Sequence, residues 1–343
     1  MSENAGVTLQ INLAPSDLPT ARHTLPHQLR QWGNQVDEVL LVLDLHQSAG
    51  RYADGWTERL PGIRRLLDDA CAQCRHARIV EVDYSACEAG RLAAKFFDGH
   101  PIHAKDWQGG PVYSYFFGLD AASHDYVLHM DSDMMYGGGS QTWIAEAIQL
   151  LTERPDVLVC GPLPGPPTAN GQLRSQALEQ EPLPYAAFRA DSVSTRIFFM
   201  DMRRFYARMA PLTRLRTPLR NTLQALVDGN SPWWSGEIIL SHAMAEVGLA
   251  RIDFLGSDPG MWSLHPPFRS EIFYERLPAL IEEIESGQVP EAQRGHHDVD
   301  DSMVNWTSAR RLVKPAWRRV IKHQRLLVRN VSTRLRSASS AST

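Results

Sequence analysis

The sequence predicts an α/β fold, with a mostly parallel sheet that carries helices on both faces, followed by a C-terminal helical tail. Short apolar segments alternate with segments of helical periodicity from the first residues onward, which is typical of a doubly wound parallel sheet. The chain has 343 residues, 43% of them hydrophobic and 22% charged. This composition can fill the core of one large α/β domain or of two fused lobes.

The predicted elements follow one another as strand and helix along most of the chain. Strands are expected where short apolar runs occur, at residues 7–13, 38–44, 78–83, 126–133, 157–160, 195–200 and 251–255. Helices are expected between them, at residues 20–32, within 56–74, and at 88–97, 111–122, 142–153 and 235–247. Segments 161–190 and 211–235 are rich in Pro, Gly and Asn, so they are expected to be irregular loops that contact a substrate or simply cover the surface.

Two carboxylates at the end of the fourth predicted strand are the most informative local feature. Asp131 and Asp133 end the apolar run that begins at Tyr126. Ligands of parallel sheets bind just beyond the carboxyl ends of the strands. Neighbouring carboxylates with no adjacent Lys or Arg suit a hard divalent cation that keeps positions open for phosphate oxygens. The alternative is a turn or a helix cap, in which both side chains bond to local backbone amides.

Charge is unevenly distributed along the chain. Ten basic and no acidic residues occur from Arg310 onward, although the whole chain has a net charge of -4. The body is therefore acidic, which argues against a nucleic-acid partner. The tail at 310–343 is predicted to be a basic amphipathic helix, which either lies on an anionic membrane surface through residues 310–336 or packs on the acidic body. With no visible leader and no apolar stretch of about 20 residues, a cytoplasmic protein is expected, peripheral on the membrane if the tail binds lipid.

Several segments resemble, in their order and spacing, the nucleotide-sugar glycosyltransferases with the GT-A fold, most closely the family 2 type. The segments are the opening strand with Pro15-Ser16-Asp17, Val82-Asp83 after the third strand, Gly110 to Asp133, and Trp233-Trp234-Ser235-Gly236-Glu237-Ile238-Ile239-Leu240. The resemblance covers residues 7–265 and implies a single catalytic domain. It divides the chain into a donor-binding half at 1–160, an acceptor-binding half at 161–265, a region at 266–309 that closes the site, and the tail.

The resemblance implies a cation site. Asp133, Asp131 and a late histidine, His265, would bind Mn²⁺ or Mg²⁺, with Asp131 acting directly or through the ribose of the donor. Such a cation stabilises the negative charge that builds on the leaving phosphate. For His265 the alternative is a structural role in its loop.

The resemblance also implies contacts to a nucleotide-diphosphate sugar. Asp17 and Asp83 would bind the base and the ribose, and Arg91 would bind the donor as a bidentate partner of phosphate. The alternatives are helix caps for the two aspartates and a solvated helix residue for Arg91.

On the acceptor side, Glu237 is the candidate general base for transfer to a hydroxyl-bearing glycan, lipid or small molecule. A carboxylate at the start of a helix can take the proton of the attacking hydroxyl, and Trp233 and Trp234 could stack on a sugar face. The alternative for Glu237 is a first-turn residue stabilised by the helix dipole. The family usually has Glu-Asp at this motif, whereas this chain has Glu237-Ile238. A hexosyltransferase is expected. Inversion of the sugar configuration is the expected outcome, and retention stays open because of the difference at Ile238.

Other chemistries remain as alternatives. An apolar strand that ends in Asp-x-Asp is also typical of haloacid dehalogenase-type phosphatases, in which Asp131 would be a nucleophile beside Mg²⁺. A catalytically inactive nucleotide-sugar-binding protein is the other alternative. The segment from His296 to Asp301 resembles a second metal cluster but is expected to be a solvated loop. Cys71 and Cys74 lack a second pair and are expected to be ordinary helix cysteines.

Overall fold

The computed structural model describes residues 6–48, 55–174 and 178–311, so the predicted tail lies outside the described residues from position 312 onward. One large sheet crosses the described part of the chain in the order β3-β2-β1-β4-β9-β6-β10-β8-β7; β11 joins it by pairing with β6, and β5 pairs with β11. The strands are β1 (Val7–Leu13), β2 (Glu38–Leu43), β3 (Ala77–Glu81), β4 (Tyr126–Asp131), β5 (Met135–Gly137), β6 (Val157–Pro164), β7 (Glu179–Gln180), β8 (Ala187–Ala190), β9 (Ile197–Asp201), β10 (Ala250–Phe254) and β11 (Trp262–Leu264).

The sheet is mostly parallel on the side where the predicted site lies. Strands β3, β2, β1 and β4 run parallel to one another, and β6 is parallel to β10. Strand β9 runs antiparallel between β4 and β6. Every residue of β1 and of β2 is buried, because helices cover both faces of such strands. Strand β2 is apolar after Glu38, whereas β1 alternates apolar residues with the buried polar residues Thr8, Gln10 and Asn12.

Helices cover both faces of the sheet and bury one core on each face, and a third cluster packs α9 against β5 and β11. They are α1 (Leu18–Trp32), α2 (Trp56–Gln73), α3 (Ala86–Phe97), α4 (Tyr113–Ala121), α5 (Trp143–Glu153), α6 (Met202–Arg208), α7 (Leu219–Asp228), α8 (Gly236–Glu246), α9 (Glu271–Glu285) and α10 (Thr307–Arg311). Leu41 of β2 packs with residues of α1, α2 and α5, whereas its neighbour Leu40 packs with residues of α3, α4 and α8. This alternation follows from the two-residue period of a strand. The predicted α/β fold class is confirmed.

Several strand ends differ from the predictions. Strand β4 ends at Asp131, and β6 continues to Pro164, so the first four residues of the segment predicted to be an irregular loop (161–190) belong to a strand. Strand β2 ends at Leu43 and β3 at Glu81, so Asp44 and Asp83 lie just beyond their strands. The short strands β5, β7, β8 and β11 and the helix α6 were not predicted, because such brief segments have no clear periodicity. Helix α7 lies in the segment 211–235, which was predicted to be an irregular loop, and this prediction was wrong for residues Leu219–Asp228. None of the helices in the described ranges is both long and apolar enough to cross a membrane.

A buried histidine joins α1 to α9 and β5. The fully buried His27 accepts a hydrogen bond at Nε2 from the Tyr136 backbone N–H (2.8 Å), and its Nδ1 lies 2.6 Å from Glu285 Oε1. Because Nε2 is an acceptor, the ring proton is on Nδ1 and is donated to Glu285. Burial lowers the pKa of His27 below its usual value, and the hydrogen bond from His27 lowers the pKa of Glu285 to about 2. The ring is therefore neutral in the folded protein at pH 7.

We expect His27→Ala to destabilise the fold by about 3 kcal/mol at pH 7, because the Tyr136 N–H loses its acceptor inside the core. The native protein should also lose stability below about pH 6.5, where unfolded His27 binds a proton that the buried ring does not, by up to about 1.4 kcal/mol per pH unit. Glu285 does not contribute to the pH dependence between pH 5 and 7, because its stabilisation is already complete above the pKa of the unfolded glutamate. Urea unfolding at pH 7, 6 and 5 should show a shallower pH dependence in the variant.

The matched control is His242→Ala, since His242 is exposed on α8. That change should alter stability by less than about 0.5 kcal/mol. An unchanged pH dependence for His27→Ala would contradict the neutral buried ring.

Candidate functional site

A pocket of about 130 Å³ opens at the carboxyl ends of β1, β2 and β4. Its wall includes Asn12 from β1, Asp44 after β2, Asp131 at the end of β4, and Asp17 from the single 3-10 turn that follows β1. Parallel strands bring their carboxyl ends to one edge of a sheet, and ligands of such sheets bind there. The predicted position of the site at this edge therefore coincides with a pocket that contains two of the predicted residues.

The backbone around Asp131 is held from several sides. Its N–H donates to the Arg196 carbonyl (2.8 Å), and its carbonyl accepts from Gln28 Nε2 (3.0 Å). The Tyr115 hydroxyl donates to Asp131 Oδ1 at 2.5 Å. Burial raises the pKa of Tyr115 well above its usual value, and the charge of Asp131 adds to the effect, so Tyr115 keeps its proton. The side chain of Asp131 is 29% exposed and borders the pocket in a fixed orientation.

Asp133 is buried and paired with a cation that the sequence did not indicate. Arg269 donates to Asp133 Oδ2 from Nε (3.0 Å) and Nη2 (2.7 Å), and from Nη1 to Asp17 Oδ1 (2.7 Å). One guanidinium thus joins two carboxylates across the pocket. Burial alone would raise the pKa of Asp133, but Arg269, then His265 and Arg196, outweigh it and hold that pKa below its usual value. Asp133 is therefore an anion at neutral pH.

Two of the predicted cation ligands lie together. Asp133 Oδ1 is buried and accepts no hydrogen bond from the described residues, which is a costly state for a carboxylate oxygen unless a cation or a donor binds there. His265 Nε2 lies 3.9 Å from Asp133 Oδ2, and its Nδ1 lies 3.3 Å from Asp298 Oδ1. Since a carboxylate can only accept, Nδ1 carries a proton that it donates to Asp298, and Nε2 is the ring nitrogen that faces Asp133 and that could bind a cation.

The residues fit a divalent cation whose coordination shell is completed by oxygen atoms of the substrate. Within the described ranges, no group of three or more His, Cys, Asp or Glu side chains could hold a metal ion by itself, so Asp131 does not join Asp133 and His265 in a preformed cluster. Mg²⁺ is commonly held by one or two carboxylates plus phosphate oxygens and water, and imidazole is an acceptable ligand of similar divalent cations. The unsatisfied Asp133 oxygen and the facing imidazole nitrogen meet this requirement.

A second ion pair lines the pocket on the β2 side. Lys105 Nζ lies 2.6 Å from Asp44 Oδ2, and both side chains are nearly fully buried. The Tyr84 hydroxyl donates to Asp44 Oδ1 at 2.9 Å. The two charges stabilise each other, because each alone would be costly to desolvate, and the His46 N–H also donates to Asp44 Oδ1 at 2.8 Å. The pocket therefore contains two basic groups, Lys105 and Arg269, opposite its carboxylates.

Glu237 lies close to the loop that holds Asp131. It occupies the first turn of α8, where the side chain of Ser235 caps the helix. Glu237 Oε2 accepts from the Thr195 N–H at 3.4 Å, and the next residue, Arg196, accepts the N–H of Asp131. The half-buried carboxylate is therefore separated from Asp131 by one short segment of backbone.

The two tryptophans before Glu237 have different surroundings. Trp233 is 2% exposed and packs against Phe97 and His103, with the guanidinium of Arg214 5.5 Å from its ring. Its contacts are those of a core residue, which leaves little ring surface for a sugar. Trp234 is partly exposed and donates from Nε1 to the Arg216 carbonyl at 3.3 Å. Of the two, Trp234 is the one that a substrate can reach.

Asp83 and Arg91 do not line the pocket. The carboxylate of Asp83 accepts from Ser85 N (2.7 Å) and Ser85 Oγ (3.1 Å), immediately before α3. Arg91 is 49% exposed and pairs with Glu88 and Asp120. Asp83 therefore forms a local turn with Ser85, which is itself the N-cap of α3, and Arg91 matches the surface alternative. Strand β3 is the edge strand of the sheet, and its carboxyl end lies away from β1 and β4. We leave both residues out of the site.

Sequence reasoning missed four of the six ionisable residues of the pocket: Asp44, Lys105, Tyr115 and Arg269. Asp44 had a usable signal, because it follows an apolar strand in the same way as Asp131. Lys105, Tyr115 and Arg269 come from loops and helices distant in sequence, and no local pattern marks them.

No protein-family model matches the sequence, and no curated protein matches it. Among solved structures, the chain is similar to GalNAc-T7 with UDP, GalNAc and Mn²⁺ (10% identity, TM-score 0.45, 82% of this chain and 48% of that chain). It is also similar to the mannosyltransferase PcManGT from Pyrobaculum calidifontis in complex with GDP-Man and Mn²⁺ (14% identity, TM-score 0.38, 83% and 64%). A third is S. aureus TarS 1-349 (12% identity, TM-score 0.35, 83% and 67%). The chain spans about half the length of the first of these. All three TM-scores are below 0.5, so the function proposed below is based on the residues of the site.

Proposed function

We propose that the chain is a metal-dependent glycosyltransferase of the GT-A type that moves a single sugar from a nucleotide-diphosphate sugar to a hydroxyl acceptor. The observation that carries the proposal is the pocket at the strand ends, where Asp17, Asp44 and Asp131 face Lys105 and Arg269. Carboxylates accept hydrogen bonds from base N–H and ribose hydroxyl groups, whereas guanidinium and ammonium groups bind phosphate oxygens. A nucleoside diphosphate presents both kinds of group.

The cation would be held by Asp133 and His265 and completed by phosphate oxygens of the donor. Asp131 would bind the same cation or the ribose. When bound, Mn²⁺ or Mg²⁺ would neutralise the charge that builds on the leaving diphosphate. Arg269 belongs to the region 266–309 that was predicted to close the site, and its contacts with Asp17 and Asp133 support that role.

Glu237 is the proposed general base. The acceptor oxygen forms a bond to the anomeric carbon while the bond from that carbon to the diphosphate breaks, and Glu237 takes the acceptor proton. The short connection from Glu237 through Thr195 to the Asp131 loop supports this role. Attack from the side opposite the leaving group would invert the configuration of the sugar, and a hexose is the sugar class that we propose.

The protonation state of Asp133 argues against the phosphatase alternative. In that mechanism the second aspartate must give and take a proton. Asp133 is instead buried against Arg269, and its pKa is held below the usual value, which makes it a poor proton donor at neutral pH.

A thermal-shift panel of UDP and GDP sugars, each with and without Mn²⁺, tests the proposal. A ligand at 100 times its Kd stabilises the folded state by about 2.7 kcal/mol, so at least one nucleotide sugar should raise Tm by several degrees with Mn²⁺ and by much less with EDTA. If no member of the panel raises Tm, the proposed function is wrong. Mn²⁺-dependent hydrolysis of the donor that binds would separate an enzyme from an inactive binding protein.

A further inference from the structure

Helix α7 presents an apolar stripe to solvent. Leu219, Leu223 and Leu226 are 74%, 55% and 44% exposed. Their spacing of four and three residues places them on one face of the helix. The helix buries only Ala225, so most of its apolar surface is not used by the fold. Three exposed leucines on one face form a patch that usually marks an interaction surface.

The segment before α7 and the helix as far as Val227 contain arginines and no acidic residues, and the helix ends at Asp228. Between Asp201 and Asp228 the chain has six arginines and no Asp or Glu. Three of them, Arg214, Arg216 and Arg220, are exposed and form no ion pair with any residue in the described ranges. On a chain with a net charge of -4, this is a local cationic surface. A solvated surface would normally intersperse both signs of charge.

A cleft adjoins this helix on the arginine side. It has a volume of about 410 Å³ and is lined by Arg214, Leu215, Arg216, Thr217, Thr222 and Pro232. Thr217 donates to the Pro232 carbonyl (2.8 Å), and Trp234 donates to the Arg216 carbonyl (3.3 Å). The cleft is therefore fixed to the segment that leads into Glu237, and two guanidinium groups border a space large enough for a phosphate headgroup.

We propose that α7 and the arginine segment before it form a docking surface for an anionic lipid membrane. The leucines enter the boundary of the acyl chains, and Arg214 and Arg216 bind headgroup phosphates in the cleft. A helix with an apolar face and a basic N-terminal end is suited to this interface. Docking of a second copy through this face is disfavoured, because a twofold contact would bring the two arginine clusters together.

The surface has a consequence for the acceptor, and this step rests on the proposed function. Trp234 and Glu237 follow the cleft directly in the chain. A protein docked through α7 would therefore hold Glu237 close to the membrane, where it would receive a hydroxyl acceptor carried by a lipid.

Vesicle co-sedimentation of the full chain tests the docking surface without donor, cation or turnover, so its result does not depend on the transferase proposal. The protein should bind vesicles of phosphatidylcholine with phosphatidylserine, and bind pure phosphatidylcholine much less. Arg214→Gln with Arg216→Gln should weaken binding about 30-fold, since each arginine near an anionic surface contributes roughly a fivefold factor. Leu219→Ser with Leu223→Ser and Leu226→Ser should weaken it at least about 100-fold.

Matched controls distinguish this surface from other parts of the chain. Ile272→Ser changes a comparably exposed residue on α9 (42%), and Arg174→Gln changes an exposed arginine elsewhere; both should bind as the native protein does. The basic tail is tested separately with Arg318→Gln and Arg319→Gln. The proposal is overturned if the α7 variants bind normally, if only the tail variant loses binding, or if the native protein binds no vesicles. Sedimentation velocity measures the oligomeric state of the native protein and of the leucine variant. The proposal is also overturned if the native protein is a dimer that the leucine changes dissociate while lipid binding persists.

Discussion

Asp133→Asn should lower turnover by about 10³-fold and remove the effect of Mn²⁺ on nucleotide binding. Asparagine has nearly the same shape, and its oxygen can still accept the hydrogen bonds that Arg269 donates to Asp133 Oδ2. The other oxygen, the buried Oδ1 that accepts no hydrogen bond from the described residues, becomes an amide nitrogen that cannot bind a cation. A cation contributes several kcal/mol of charge stabilisation, and each factor of ten in rate is about 1.4 kcal/mol. Initial rates and calorimetric titration of nucleotide with and without Mn²⁺ measure both effects.

Arg269→Gln should have the opposite effect to Asp133→Asn on the binding of Mn²⁺. Because Arg269 occupies Asp133 and Asp17 as a resident cation, its removal should strengthen binding of Mn²⁺ alone by at least about tenfold. The control for general damage is Asp301→Asn, a carboxylate in a surface pair with Arg310. Full Mn²⁺-dependent turnover in Asp133→Asn, or unchanged Mn²⁺ affinity in Arg269→Gln, would show that Asp133 is not a cation ligand.

Glu237→Gln should reduce turnover by about 10²-fold to 10⁴-fold and leave donor affinity unchanged. The amide cannot take a proton from the acceptor, and a positioned general base contributes an effect of this size. The side-chain oxygen of the introduced glutamine can still accept from the Thr195 N–H, as Glu237 does, so the α8 N-terminus and the Asp131 loop should keep their positions. Single-turnover rates together with nucleotide titration separate the chemical step from binding.

Glu246→Gln is the matched control, because it changes a second, exposed glutamate of the same helix. It should leave both turnover and donor affinity unaltered. Turnover that survives Glu237→Gln would assign Glu237 to helix capping alone. Loss of donor affinity together with turnover would instead place it in the donor site.

The fold class was predictable because buried parallel strands leave a clear local pattern. The segments that became β2 and β4 contain apolar runs, Val39 to Leu43 and Tyr126 to Leu128, since both faces of each strand are covered, and β1 shows the alternation of a strand. The shortest strands were missed for the opposite reason. Strand β11 has three residues and is defined by its pairing with β5 and β6, a long-range contact that leaves little local pattern.

The two aspartates that follow β2 and β3 show that local sequence pattern does not predict which strand ends form the pocket. Asp44 and Asp83 both come shortly after an apolar strand, and only Asp83 was predicted as a site residue. In the structure Asp44 lines the pocket and Asp83 bonds to Ser85. The difference comes from the order of the strands, because β2 adjoins β1 whereas β3 lies at the edge of the sheet.

The sequence by itself determined that the chain forms an α/β sheet and that Asp131 and Asp133 stand at the end of a buried strand. Both facts depend on neighbouring residues, whose periodicity and polarity are visible along the chain. Only the tertiary structure decided what surrounds these carboxylates. Arg269 reaches Asp133 across 136 positions and Asp17 across 252, and Lys105 reaches Asp44 across 61. Pairings over such distances follow from how the helices and loops pack on the sheet, and no short stretch of sequence encodes them.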